Sequence, residues 1–168
     1  MGTGGVFLRR LRAKVADQPT GFVWVESGKL AASGYPASRS QVEWLAKAGV
    51  RCILSLTENP LPAAWTVGLD VVTKHVSMAD HQPPSVEAME RGVSFIRGEL
   101  AEKKPVLVHC LAGEGRTGCV LAAYLIRTRG IGAEQAMSSL RKLKPEFVEG
   151  RQEQAVRDYA ARAGAEAR

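Results

Sequence analysis

The chain has 168 residues, 45 percent of them hydrophobic, which suits one domain around one core. The formal net charge is +6, but basic residues alternate with acids along the predicted helices and no aromatic residues interleave with them, so nucleic acid is not an obligatory partner. No apolar run reaches the roughly 20 residues that span a bilayer, the basic start (Arg9, Arg10, Arg12, Lys14) is followed by no long apolar stretch or cleavage signal, and Val6 breaks the myristoylation pattern after Gly2, all of which point to a soluble, cytoplasmic protein.

In chain order, residues 1–20 read as a basic arm, loose or forming a short amphipathic helix, closed by Pro19 and Gly21, and residues 21–164 as a single domain. Residues 22–25 and 29–32 predict two short strands around a Ser27-Gly28 turn. Ser40 stands three residues before Glu43, a capping-box spacing, ahead of a helix that buries Val42, Leu45 and Ala46 and stops at Gly49. Strands are expected over 50–56 and 71–76, the first followed by the breakers Asn59-Pro60 and Pro62. Ser85 caps a helix to about Lys103, with Val86, Met89, Val93, Ile96 and Leu100 at helical spacing. Residues 105–109 form a short apolar strand of the kind covered on both faces. Residues 117–126 carry no charge and predict a buried helix, closed by Gly130, and two more helices are expected over about 133–143 and 151–163. This alternation defines an α/β domain with a mainly parallel sheet, whose ligands bind beyond the carboxyl ends of the strands.

The segment in that position reads His109-Cys110-Leu111-Ala112-Gly113-Glu114-Gly115-Arg116-Thr117-Gly118. A helix starting near Arg116 aims its free amides and positive dipole end back at Cys110. Gly113 and Gly115 let the backbone curl, so that Leu111, Ala112, Gly113, Glu114, Gly115 and Arg116 line an anion nest. Such donors favour a thiolate; an ordinary thiol with a pKa of about 8.5 is only about 3 percent ionised at pH 7. They also suit a tetrahedral phosphoryl group, and the planar fork of Arg116 can grip two of its oxygens, which a lysine cannot. Phosphate, vanadate and sulfate are therefore expected ligands. Thr117 can donate its hydroxyl to the cysteine sulfur, and His109 can orient the loop and tune the thiol without serving as proton donor. The leaving oxygen needs a carboxylic acid from a nearby loop. Asp80, in Asp-His-Gln-Pro-Pro after a strand, fits that role, as acid in the first step and base in the second; Asp70 reads as a strand-entry turn residue. Three scattered cysteines give neither a disulfide framework nor metal-ligand spacing, so neither a metal nor any other cofactor is expected. Cys52 or Cys119 is a candidate for a protective disulfide with oxidised Cys110.

The His-Cys, five residues, Arg-Thr-Gly pattern resembles the signature of the cysteine-dependent protein tyrosine phosphatase superfamily. With Phe22-Val-Trp-Val, Gly28-Lys-Leu-Ala, Gly49-Val50, Ser55-Leu-Thr-Glu58, Leu140-Arg-Lys-Leu-Lys-Pro145, Val148-Glu149 and Gln152-Glu-Gln-Ala-Val156, the chain is similar over residues 22–160 to the compact atypical dual-specificity phosphatases of the VHZ type. The resemblance implies a three-layer fold with a central sheet of four to five strands between helices, a shallow site without cofactor, and hydrolysis of phosphotyrosine with some phosphoserine and phosphothreonine activity on a phosphorylated protein or peptide. A monomer is expected. The resemblance also implies that Gln152 places the attacking water; Glu149 reads either as a charge preceding a helix or as a secondary acid approaching the loop. Glu114 departs from the basic residue that phosphoinositide phosphatases of the superfamily carry in this loop, and favours peptides with basic neighbours. The alternatives are a phosphoinositide or RNA 5′-phosphate phosphatase of the same superfamily, a phosphate-binding pseudophosphatase and a sulfurtransferase.

Overall fold

A computed structural model describes residues 17–166; the basic arm lies almost wholly outside them. Five strands, β1 (Val23–Glu26), β2 (Leu30–Ser33), β3 (Cys52–Ser55), β4 (Val72–His75) and β5 (Val106–His109), form one sheet in the order β1-β2-β5-β3-β4. Only the β1–β2 hairpin is antiparallel. Among the described residues, five α-helices follow the predicted order: α1 (Arg39–Lys47), α2 (Val86–Ala101), α3 (Gly115–Arg129), α4 (Ala133–Leu143) and α5 (Glu153–Glu166). Short 3₁₀ turns at Ala63–Trp65 and Gly150–Gln152 had no counterpart in the sequence reading.

The strands are continuously apolar because both sheet faces are covered. Val106 and Val108 of β5 point into the core made with α2, α3, α4 and α5, while Leu107 points the other way, against Val42 and Leu45 of α1. The charge-free stretch of α3, Thr117 to Ile126, is buried throughout, the expected setting for a helix without a polar face.

Helix starts are set by local chemistry. Ser85 caps α2 by accepting from the Ala88 amide at 3.1 Å. For α1 the cap is Ser38, not Ser40: its extended backbone lets Oγ accept from the Gln41 amide at 3.3 Å. Gln41 in turn accepts from the Ala37 amide at 2.8 Å, so the reciprocal cap uses Ser38 and Gln41 rather than Ser40 and Glu43.

The register places the site. Ser33, His109 and Ser55 lie side by side at the carboxyl ends of β2, β5 and β3. Cys110, the next residue, therefore leaves the middle of the sheet with a strand fixed on either side.

Candidate active site

Cys110 is buried at the mouth of the turn between β5 and α3. Loop carbonyls are bonded outward: Leu111 O accepts from the Tyr35 amide at 2.9 Å, Gly113 O from Lys144 Nζ at 3.3 Å and Glu114 O from the Val148 amide at 3.3 Å. A trans peptide points its N–H opposite its C=O, so the amides of Ala112, Glu114 and Gly115 face the concave side. The turn needs its glycines. Gly113 has φ +73° and a Cβ there would run into the Ser33 carbonyl, while a Cβ on Gly115 would strike the Gln152 side chain. Glu114, at the N-cap of α3, makes no side-chain cap, which leaves the first-turn amides to an anion.

Arg116 is 2 percent exposed and is used along both edges. Nη1 donates to Met78 O at 2.9 Å, to Glu58 Oε2 at 3.2 Å and to Leu56 O at 3.4 Å, anchoring that edge to the ends of neighbouring elements. On the other edge Nη2 pairs with Asp80 Oδ1 at 2.8 Å and Nε has no partner. This is the edge a phosphoryl group would occupy, in the side-on manner that suits a guanidinium fork.

His109 is fully buried, and that desolvation lowers its pKa to about 4. Its Nδ1 lies 3.1 Å from Cys110 O, a carbonyl that can only accept, so the proton sits on Nδ1 and Nε2 accepts from Ser55 Oγ at 2.7 Å. A neutral ring with both nitrogens committed orients the loop and has no proton to give. The expected bond from Thr117 to the sulfur is not formed here: Thr117 Oγ1 is buried without a hydrogen-bond partner.

Asp80 closes the site from the β4–α2 loop. Its Oδ1 also accepts from the His81 amide at 3.0 Å, and His81 is left-handed at φ +56°. The loop is tied to the opposite wall by Gln152 Nε2, which donates to Gln82 O at 3.1 Å; His81 Nδ1 lies 3.6 Å from Glu149 Oε2. Gln152 is fully buried and, with Glu149, closes over Gly115. Their placement depends on Val148, a β-branched residue at φ +62° whose carbonyl is held by Arg141 Nη2 at 2.7 Å.

Two residues near the cradle were not singled out from the sequence. Lys144 Nζ lies 3.5 Å from Glu114 Oε1, so the loop carboxylate is partly neutralised and its repulsion of anionic substrates is weaker than a lone charge implies. Glu58 contacts Arg116 and also accepts from the Asp80 amide at 2.7 Å. Its own backbone N–H, that of Asp80 and then Arg116 hold its carboxyl below the ordinary range.

The other thiols differ from Cys110 in setting. Burial pushes both Cys52 and Cys119 up to about 12. Cys52 pairs in register with Val106, four residues before Cys110, which puts it about 13 Å along the sheet from Cys110 and removes it as a disulfide partner. Cys119 lies one turn into α3 and is fully buried. Asp70 takes the predicted turn position and pairs with Arg51 at 3.4 Å. Among the described residues, no group of three or more His, Cys, Asp and Glu side chains is arranged to hold a metal ion.

The family model of the DSP-PTPase phosphatase domain of Swiss Army Knife proteins (PTP-SAK) matches residues 19–165. Dual specificity protein phosphatase 7 of Homo sapiens is 30 percent identical over 112 residues, which is 66 percent of this chain and 26 percent of that protein. Tyrosine-protein phosphatase CDC14 of Candida albicans is 33 percent identical over 82 residues, 48 percent of this chain and 15 percent of that protein. The chain thus spans about a quarter or less of the length of these two relatives. The crystal structure of Tk-PTP in the active form superposes with a TM-score of 0.76 at 26 percent identity, covering 84 percent of this chain and 97 percent of that one. PTPMT1 in complex with PI(5)P shares the fold, with a TM-score of 0.77 at 19 percent identity. The chain belongs to the DSP-PTPase family, the dual-specificity branch of the cysteine-dependent protein tyrosine phosphatase superfamily.

Proposed function

We propose that the chain hydrolyses phosphotyrosine, with some phosphoserine and phosphothreonine activity, on phosphorylated proteins or peptides, and that Cys110 is the nucleophile. The observation that carries this reading is Arg116: one edge is fixed to Met78 and Glu58, and the other has an unpartnered Nε beside Nη2, which meets Asp80 at 2.8 Å.

In the first step the phosphate dianion takes the Nε and Nη2 edge and the inward amides, displacing Asp80 from Arg116. The Cys110 sulfur attacks phosphorus, an S–P bond forms, the P–O bond to the leaving group breaks, and that oxygen takes its proton from Asp80. In the second step water attacks the phosphocysteine, Asp80 accepts the water proton, and the thiolate leaves as inorganic phosphate forms. Gln152 orients that water and Glu149 stands beside it as a secondary acid. The Thr117 hydroxyl turns to the departing sulfur. Fixed donors around the equatorial oxygens lower both barriers. The enzyme needs no cofactor and acts as a cytoplasmic monomer. The Lys144–Glu114 pair keeps an inositol-lipid or RNA 5′-phosphate substrate as the second reading, because it offsets the one charge in the loop that opposes them.

Kinetics on phosphotyrosine and phosphothreonine peptides, an inositol phospholipid and an RNA 5′-phosphate separate these substrate classes, and Asp80→Asn tests the mechanism. The variant has no acid to protonate the departing phenoxide, so its kcat on phenyl phosphate should fall about 100-fold. An unchanged rate would reject Asp80 as the acid, and preference for the lipid or RNA substrate would reject the peptide reading.

A further inference from the structure

Glu58 sits just past the end of β3, the strand that pairs with β5, which leads into Cys110. Its two carboxylate oxygens serve two different partners. Oε2 accepts from Arg116 Nη1 at 3.2 Å, and Oε1 accepts from the backbone amide of Asp80 at 2.7 Å. The side chain is 53 percent exposed, so it is no part of the core. Its backbone is held nearby: the Ser77 hydroxyl donates to Glu58 O at 3.4 Å, and His75 Nε2 lies 2.7 Å from Thr57 O. Other contacts hold the Asp80 carboxylate through Arg116 Nη2 and the His81 amide, but once a phosphate takes Nη2 the first of these is lost. The Glu58 bond to the Asp80 amide does not involve that edge.

We propose that Glu58 is a positioning residue that holds the phosphate-gripping guanidinium and the proton-donating loop at one fixed spacing, so that Asp80 stays over the leaving oxygen after substrate displaces it from Arg116. This rests on the phosphatase reading above. Glu58 touches neither substrate nor reacting atoms; it acts through Asp80 and Arg116.

The two bonds can be separated by substitution. Glu58→Gln keeps a carbonyl oxygen for the Asp80 amide and loses the charge opposite Arg116, whereas Glu58→Ala loses both. The probes are phenyl phosphate, whose leaving oxygen needs a proton, and 2,4-dinitrophenyl phosphate, whose leaving group departs as a stable anion. The measurement is kcat/KM for each, with thermal unfolding to confirm the fold. Glu58→Ala should lose about tenfold more on phenyl phosphate than on the dinitrophenyl ester, a fraction of what a general acid contributes. Glu58→Gln should lose equally on both. A Glu58→Ala loss that is the same for the two esters, or no loss on either, overturns the proposal. Absence of wild-type turnover on both esters overturns instead the phosphatase reading beneath it.

Discussion

Cys110→Ser should bind phosphate and vanadate and turn over nothing. The amides and Arg116 that hold the anion are untouched by the exchange of sulfur for oxygen, and the side chain sits at the buried end of β5, where a slightly smaller group fits. The serine hydroxyl is a far poorer nucleophile, because so little of it is ionised, and the neutral His109 has both ring nitrogens committed and cannot act as its base. The loss in kcat on a phosphotyrosine peptide should be about 10⁴-fold or more, the scale seen when a nucleophile is removed. Isothermal titration with vanadate and steady-state kinetics read the two halves of this expectation. Turnover within tenfold of wild type would show that another group carries the chemistry.

Arg116→Lys should cost nearly as much, by a different route. An ammonium is a point charge and cannot both hold Met78 O and Glu58 on one side and offer two aligned donors to a phosphoryl group on the other. The fork is lost, and the carboxylates of Glu58 and Asp80, both drawn to Arg116 now, would face each other with one compact cation between them. The expected fall in kcat/KM is about 10³-fold, in line with losing transition-state donors in a site of this kind. The unfolding temperature should also drop, since the guanidinium is buried and tied to the two loops that follow β3 and β4. Kinetics and a melting curve on one preparation check both. A variant that melts earlier but keeps kcat/KM within tenfold would reduce Arg116 to a structural role.

How much of this could be seen in the sequence varied with how local the cause is. The α2 helix was legible because Ser85 and the spacing of Val86, Met89, Val93 and Ile96 lie within one element. α3 was legible from a charge-free run and Gly130, which takes the left-handed C-cap conformation. The loop from Cys110 to Arg116 was legible because its chemistry is written in consecutive residues. The choice between Ser38 and Ser40 turned on backbone angles that composition does not encode, and both serines precede the same apolar face.

Contacts made by the tertiary fold left weaker traces. Glu58 lies 22 residues from Asp80 and 58 from Arg116, and a polar residue after a strand reads like any solvated turn. Its position at the carboxyl end of a strand neighbouring β5 was the signal available. Lys144 was quoted only as part of a similar segment, and its pairing with Glu114 needs α4 to end beside the loop. The left-handed Val148, unexpected for a β-branched residue, has no sequence signature at all and depends on the Arg141 clamp.

The central claim is a covalent bond between Cys110 and phosphorus. Mixing the enzyme with a ³²P-labelled phosphotyrosine peptide and quenching within milliseconds in denaturant, followed by peptide mapping, tests it directly. Label should appear on the peptide containing Cys110, decay with the rate of phosphate release, and be absent from Cys110→Ser. Full turnover with no label on that peptide at any time, or label on a different residue, would contradict it.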